Sequence, residues 1–255
     1  MHSWDADHYL TYADERGRPF VELVFRIRAE APSDVVDLGC GPGNLTRLLA
    51  DRWPDADVRG VDSSAQMIEA ARRDVPGLQF EVADLHAWID RGEDVDVLVS
   101  NATLQWLPDH LELLPHLVHR VRPGGWIAFQ VPGNFGEPSH TLRTELAAEE
   151  PYAEHVGSVA VPDSHAPEVY LDALTAAGCE VDVWETTYLH VLSGEDPVFA
   201  WVSGTGARPT LQALPDDLRP GFDEEFKGRL RAAYPDRGHG VILPFRRIFA
   251  VGHVG

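Results

Sequence analysis

Short apolar runs alternate with helical patterns along the first half of the chain. The runs have the length of buried strands and lie at 35–36, 58–61, 78–82, 95–101 and 126–131. Between them, apolar residues recur at spacings of three and four, as on one face of a helix. Strands that alternate with helices predict a parallel sheet with helices on both faces, because each crossover lays a helix against the sheet.

The second half of the chain adds two longer strands, at 180–191 and 241–251, and a helix at 167–177. The fold class predicted for the whole chain is α/β, with a doubly wound, mostly parallel, seven-stranded sheet. Residues 134–166 have weak periodicity, whereas residues 195–235 have helical spacing. We expect these two insertions to form a helical cap on a single domain that spans residues 1–255.

Glycine, proline and serine predict where several elements begin and end. Gly17 and Pro19 should break the amino-terminal helical pattern into two helices. Ser63 and Gln66 have the spacing of a capping box, which would start the helix after the second strand. The sequence Arg-Pro-Gly-Gly at 122–125 predicts a turn before the fifth strand.

A glycine-rich turn, Asp37–Gly43, links the first predicted strand to its helix. Gly39, Gly41 and Gly43 can adopt positive φ, and a missing Cβ lets a ligand approach the backbone. The helix start adds free N–H groups and the positive end of a dipole. The third glycine comes one residue earlier than in the dinucleotide fingerprint. Asp37 suits a cationic group, such as an amine, better than a pyrophosphate.

Polar residues follow the next three predicted strands. Asp62, with Ser63 beside it, lies where nucleotide-binding α/β folds hold ribose hydroxyls, although Asp62 could instead cap a helix. Asp84, with the N–H of Leu85, could meet an adenine. Asn101 ends the fourth strand, as a ligand contact or as a turn residue. Ligands bind at the carboxyl ends of parallel strands, so these groups should converge there.

Composition limits the classes of partner. The chain has 255 residues, and its 41 acidic and 21 basic residues give a net charge of −20. Such a surface repels nucleic acid and anionic membranes, so neither is expected as a partner. Two cysteines are too few for a disulfide framework, and we expect a cytoplasmic location. No signal peptide or membrane span is predicted.

The glycine turn, Asp62, Asp84 and the turn at 122–125 together resemble a class I methyltransferase that uses S-adenosylmethionine. Segments along almost the whole chain are similar to one group within that class, the trans-aconitate methyltransferase family. These segments are Arg16–Pro19, Asp37–Asn44, Leu104–His110, Pro132–Phe135, Pro138–His140, Gly178–Trp184, Thr186–Tyr188 and Phe245–Arg247.

The resemblance implies an S-adenosylmethionine-dependent O-methyltransferase that monomethylates a carboxylate of trans-aconitate or of a related small polycarboxylic acid. A carboxylate is already ionised at neutral pH, so no general base is required and no catalytic residue or metal is assigned. The implied cofactor residues are Arg16 for the methionine carboxylate, together with Asp37, Gly39, Gly41, Gly43, Asp62, Ser63, Asp84, Leu85 and Asn101.

The substrate residues are predicted from the need to hold a polyanion in an acidic protein. Tyr9, His140, Tyr188, Arg246 and Arg247 are the candidates, with His140 in the loop after the fifth strand. Successive strand residues point to opposite faces, so at most one of the two arginines should reach the pocket. Both lie near the start of the last strand, which must therefore run antiparallel to its neighbours to place them at the ligand edge.

Two other functions remain open from the sequence. The first is a methyltransferase for a hydroxyl or an amine, which would need a base such as His140 or His190. The second is a binding module that keeps the fold and senses the cofactor. The chain is expected to be a monomer or a weak homo-oligomer.

Overall fold

Seven strands form one sheet in the order β3-β2-β1-β4-β5-β7-β6. The computed structural model describes residues 13–157, 159 and 161–255, with side chains from residue 17 onwards. The predicted α/β class with a seven-stranded, mostly parallel sheet is confirmed. The strands are β1 Asp34–Leu38, β2 Asp57–Asp62, β3 Gln79–Val82, β4 Val95–Asn101, β5 Val121–Pro132, β6 Cys179–Leu192 and β7 Val241–Val254.

Helices connect these strands, and the part of the chain that is described contains none long and apolar enough to cross a membrane. They are α1 Ala13–Arg26, α2 Thr46–Arg52, α3 Ala65–Asp74, α4 Leu85–Asp90, a 3₁₀ turn Leu104–Trp106, α5 His110–His119, α6 Pro138–Ala147, α7 Ala153–Val156, α8 Pro167–Ala176, α9 Pro197–Ser203, α10 Arg208–Ala213 and α11 Arg219–Ala233.

The first five strands are parallel and end at one edge of the sheet. β1 lies between β2 and β4, β3 pairs with β2, and β5 pairs with β4. Asp62 is opposite Val82, and Asn101 is opposite Gln130. The polar residues that follow these strands are therefore held at a common edge, as the sequence predicts.

The last strand runs antiparallel to β5. The N–H of Gly133 donates to the carbonyl of Arg246 at 2.9 Å. Further along, a Cβ on Gly252 would lie 3.0 Å from Ile127. Residue numbers thus rise along β7 as they fall along β5, which meets the condition set by the sequence. Arg246 consequently lies beside Gly133, the residue that follows β5.

The predicted break of the amino-terminal helix is wrong. A single helix, α1, continues through Gly17 and Pro19. Phe20, Leu23 and Ile27 of this segment are completely buried. Burial of three large apolar side chains stabilises the helix by more than the missing proline hydrogen bond costs.

Two other boundaries differ from prediction. The residue that starts α3 is Ser64 rather than Ser63, since the Ser64 hydroxyl accepts from the N–H of Met67 at 3.3 Å. The Arg-Pro-Gly-Gly sequence lies within β5, where the register with β4 slips between the pairs Val95–Val121 and Val97–Trp126. Residues 122–125 therefore form an irregularity in a strand and not a turn before it.

The chain divides into two compact units. The sheet unit contains residues 13–131, 165–186 and 247–255 of the described chain, and it includes β1 to β4. The helical unit contains residues 132–164 and 187–246, with α6, α7 and α9 to α11. The two predicted insertions fall almost entirely in the helical unit. Their role as a cap stays a prediction.

Gly60 of β2 provides a test of packing within the sheet unit. A Cβ there would lie 2.6 Å from the ring of Phe80 and 2.8 Å from the sulfur of Cys40. We expect Gly60→Ala to lower the free energy of unfolding by about 1–3 kcal/mol through overpacking, measured by urea denaturation. Gly228→Ala is the control, because its Cβ on α11 would meet nothing within 4 Å. That change should stabilise the helix by about 0.5–1 kcal/mol. Equal effects of the two changes would contradict the packing argument.

Candidate functional site

The glycine turn adopts the backbone conformation that the sequence predicts. Gly39, Gly41 and Gly43 have φ of +78°, +56° and +77°. A Cβ on Gly39 would overlap the Thr103 side chain, and one on Gly43 would lie 2.7 Å from the ring of Phe80. A Cβ on Gly41 would meet nothing within 4 Å. Two glycines are thus required by packing, while the backbone at Gly41 is open to a ligand.

Asp62 joins the glycine turn to the start of α3. Its Oδ2 accepts from the N–H of Gly41 at 2.9 Å, and its Oδ1 accepts from the N–H of Ser64 at 2.8 Å. Burial raises the pKa of this carboxyl, although the two backbone hydrogen bonds oppose the shift. Each oxygen keeps a second lone pair, so the carboxylate could still accept from a ribose diol. Ser63 is exposed beside it.

Asp37 is a buried acid at the base of the same turn. It is 2% exposed, and the hydroxyl of Thr46 donates to it at 2.7 Å. Burial raises its pKa to about 7, partly opposed by the Thr46 hydrogen bond and increased by the charge of Asp62. Ionising this group is costly, since no described cation pairs with it. A bound ammonium group would offset that cost.

Asn101 contributes a second acceptor to the pocket that Asp37 lines. The pocket also includes Gly39, Gly41 and Asn44. The Oδ1 of Asn101 is buried and has no hydrogen-bond partner among the described residues. Such an unsatisfied acceptor costs about 1–3 kcal/mol. A carboxylate and an amide oxygen that both need donors fit the amino group of S-adenosylmethionine.

Asp84 is engaged by the helix that follows it. Its Oδ1 accepts from the N–H groups of His86 at 2.9 Å and Ala87 at 3.4 Å, so Asp84 is the N-cap of α4. The side chain is 59% exposed, and the described chain places no hydrogen bond on its Oδ2. The side chain of Leu85 is buried. Recognition of adenine by Asp84 and Leu85 remains a prediction.

His140 lies in a different setting from the one predicted. It is in the first turn of α6 rather than in a loop, and it is 7% exposed. Burial, assisted by the charge of Arg143, lowers its pKa to about 3. His140 is therefore neutral at physiological pH. It cannot supply positive charge to an anion, but it can donate one hydrogen bond.

Sequence reasoning missed Arg143, which lies one turn after His140. It is 3% exposed and donates to the carbonyl of Gly206 and, at 3.4 Å, to the hydroxyl of Thr144. Gly206 also packs on His140, whose Cε1 would lie 2.7 Å from a Cβ at that position. In the sequence, only the spacing of three residues between His140 and Arg143 indicates that the two side chains lie on one face of a helix. The contacts of both residues with Gly206 leave no sign in the sequence, because Gly206 is distant along the chain.

The other predicted substrate residues are Tyr188, Arg246 and Arg247, and each is described by its own burial or hydrogen bonds. Tyr188 of the helical unit is 4% exposed. Arg246 of the same unit donates to the carbonyl of Gly133 at 3.3 Å. Arg247 belongs to the sheet unit, is 6% exposed and donates to Oε1 of Gln130 at 3.2 Å. The two arginines thus have different partners, as strand alternation predicts.

Two predicted site residues cannot be placed. Tyr9 lies outside the described residues, and so does the side chain of Arg16. Their assignments, to the substrate and to the methionine carboxylate respectively, stay predictions.

Comparison with known proteins supplies independent information on the whole chain. A family model described as a methyltransferase domain matches residues 35–125. The trans-aconitate 2-methyltransferase of Streptomyces avermitilis is 48% identical, with 98% of this chain and 97% of that protein covered. The trans-aconitate 2-methyltransferase of Streptomyces coelicolor is 50% identical, with 98% and 86% covered.

Solved structures of low sequence identity share the fold. One is the phosphoethanolamine N-methyltransferase 2 of Haemonchus contortus in complex with S-adenosyl-L-methionine. It has a TM-score of 0.54 and 16% identity, with 93% of this chain and 53% of that chain covered. This likeness supports the fold alone.

The raised pKa of Asp37 predicts a pH-dependent stability. The pKa of Asp37 is about 7 in the folded state and 3.8 in an unfolded chain. Between pH 4 and pH 7 the folded state therefore holds a proton that the unfolded state has released. Stability should therefore fall as pH rises from 4 to 8, by up to about 4 kcal/mol from this group.

The variant Asp37→Asn should remove this dependence, because an amide can still accept from Thr46 but does not ionise. Urea denaturation at pH 5 and pH 8 measures it. The variant should gain stability relative to the wild type as pH rises. A constant difference between the two proteins would contradict the burial argument.

Proposed function

The chain belongs to the trans-aconitate 2-methyltransferase family, and we propose that it transfers the methyl group of S-adenosylmethionine to one carboxylate of trans-aconitate or of a related small polycarboxylic acid. The observation that carries this proposal is the identity of 48–50% over 98% of the chain with two curated relatives of that name. The product is the monomethyl ester of the acid.

The sheet unit supplies the residues proposed to hold the cofactor. Asp37 and the Oδ1 of Asn101 would accept from the amino group, beside the open backbone of Gly41. Asp62 would accept from the ribose, and Asp84 with Leu85 would meet the adenine. Arg16 stays the proposed partner of the methionine carboxylate. When bound, the cofactor supplies a sulfonium that activates its methyl group.

The acceptor needs positioning and not deprotonation. A carboxylate is ionised at neutral pH, and alignment with the methyl group can contribute up to about 7–11 kcal/mol to catalysis. His140, with a pKa lowered to about 3, is a poor base at neutral pH. This disfavours His140 as the base that a hydroxyl or amine acceptor would require. Arg246, Arg247, Tyr188 and Tyr9 remain the other proposed contacts to the acid.

Mass spectrometry tests the proposed reaction directly. Each reaction contains the protein, S-adenosylmethionine and one candidate acceptor. The acceptors are trans-aconitate, cis-aconitate, citrate, a phenol and a primary amine. We expect a monomethyl ester with trans-aconitate and little or no product with the phenol or the amine. If none of the tricarboxylates is methylated, the proposed function is wrong.

Asp62→Ala tests the cofactor assignment. Loss of hydrogen bonds to a charged group should weaken S-adenosylmethionine binding by about 1.5–3 kcal/mol, measured by calorimetry. Ser64→Ala is the matched control, because it removes the hydrogen bond that starts α3 and leaves the Asp62 carboxylate in place. Unchanged affinity in a folded Asp62→Ala protein would overturn the ribose assignment.

Arg246→Ala and Arg247→Ala test how the acid is bound. We expect at least one of them to raise KM for trans-aconitate by about tenfold or more, with unchanged cofactor affinity, because binding common to ground and transition states is lost. Arg237→Ala removes the same charge from an exposed position and should leave KM within about twofold. Unchanged KM in both test variants would contradict the arginine assignments.

A further inference from the structure

Arg143 is a buried cation that donates hydrogen bonds to uncharged oxygens. Arg143 is 3% exposed, and its guanidinium donates to the Gly206 carbonyl and the Thr144 hydroxyl. No described carboxylate lies within ion-pair distance, although the chain has 41 acidic residues and 21 basic ones. Burying an unpaired charge is unfavourable, and burial lowers the pKa of Arg143. A bound anion would offset this cost.

Hydrogen-bonding atoms beside Arg143 also lack partners. Ser139 and His140 precede it by four and three residues, so all three side chains share one face of α6. Ser139 is 2% exposed and His140 is 7% exposed. The Nδ1 of His140 is buried and has no hydrogen-bond partner among the described residues. The Oγ of Ser139 is buried and makes no hydrogen bond within 3.5 Å, although the hydroxyl of Tyr234, which accepts from the Ser139 N–H at 3.0 Å, is close enough to the Ser139 side chain to oppose the rise in the Tyr234 pKa. Three polar side chains, each more than nine-tenths buried, therefore have unused hydrogen-bonding capacity.

The adjacent amide orients the His140 ring. The Nδ2 of Asn134 lies 3.5 Å from the Nε2 of His140. With Nδ2 as the donor, Nε2 of the neutral ring is the acceptor and Nδ1 carries the proton. The face then presents a guanidinium, a hydroxyl and an N–H, all of which can donate. This set of donors matches a carboxylate.

The following inference rests on the proposed function. We propose that Arg143, Ser139 and His140 bind one carboxylate of the acid, and that this carboxylate is not the one that accepts the methyl group. Arginine can bind a carboxylate through two parallel N–H donors, and the pairing is strong where water is excluded. The site would select acids with more than one carboxylate. It would make Arg143 a specificity residue for the substrate.

Dicarboxylates that each lack a different carboxylate of trans-aconitate test this assignment. They are cis-glutaconate, itaconate and mesaconate. KM and kcat for trans-aconitate, and inhibition constants for the three dicarboxylates, are measured on the wild type and on Arg143→Met. We expect the substitution to raise KM for trans-aconitate by about tenfold or more, with kcat within about threefold.

The inhibition constants identify the carboxylate that Arg143 binds. The substitution should raise the inhibition constants of the two dicarboxylates that keep this carboxylate. The inhibition constant of the third dicarboxylate should stay within about twofold of its wild-type value. A uniform weakening of all four acids, or a loss of kcat alone, would overturn the proposal and assign Arg143 to anchoring Gly206. If the wild type does not methylate trans-aconitate at all, the proposed function fails instead, which is a distinguishable result.

Two controls separate binding from folding and from net charge. Cofactor affinity and Tm of Arg143→Met should match those of the wild type. If this variant does not fold, Arg143→Lys keeps the charge but loses the paired donors, and it should give the same pattern with a smaller rise in KM. Arg231→Met makes the same change of net charge at an exposed arginine, which pairs with Asp196, and should leave the KM and the three inhibition constants unaffected.

Discussion

The carboxylate of Asp62 is the interaction on which the cofactor edge of the sheet unit depends. One oxygen holds the N–H of Gly41 in the glycine turn, and the other holds the N–H of Ser64 at the start of α3. Gly39 and Gly43 can approach their neighbours closely only because they lack a Cβ. One side chain and three glycines therefore set the path of the backbone after both β1 and β2.

Burial makes ionisation of the two acids at this edge unfavourable. Desolvation raises the pKa of both Asp37 and Asp62, and the two like charges oppose each other. Asn101 adds an acceptor without a partner. The desolvated carboxylates and the unpartnered amide oxygen lower the stability of the folded state. A cationic ligand group with several donors would reduce both costs, because it would pair with the carboxylates and donate to the amide oxygen. Stability and ligand binding are thus coupled through the same carboxylates.

The helical unit contains a buried cation, whereas the sheet unit contains desolvated acids. Arg143 is buried in a protein with a large excess of acids, yet its hydrogen bonds go to neutral oxygens. Gly206 joins this arginine to His140, because its carbonyl accepts from Arg143 and its missing side chain admits the imidazole ring. The same contacts that bury His140 keep it neutral, so the ring can serve as a hydrogen-bond donor but not as a cation.

The sequence by itself determined the strands, the glycine turn and the acids at the strand ends, because periodicity and positive φ are local properties of the chain. It also set the condition that the strand of Arg246 must be antiparallel. Tertiary structure alone decided that α1 passes through Pro19, where buried apolar side chains outweigh a local propensity. It decided as well that His140 is buried and neutral and that Arg143 accompanies it. Both depend on Gly206, more than sixty residues away, and burial by a distant segment leaves no pattern in the local sequence.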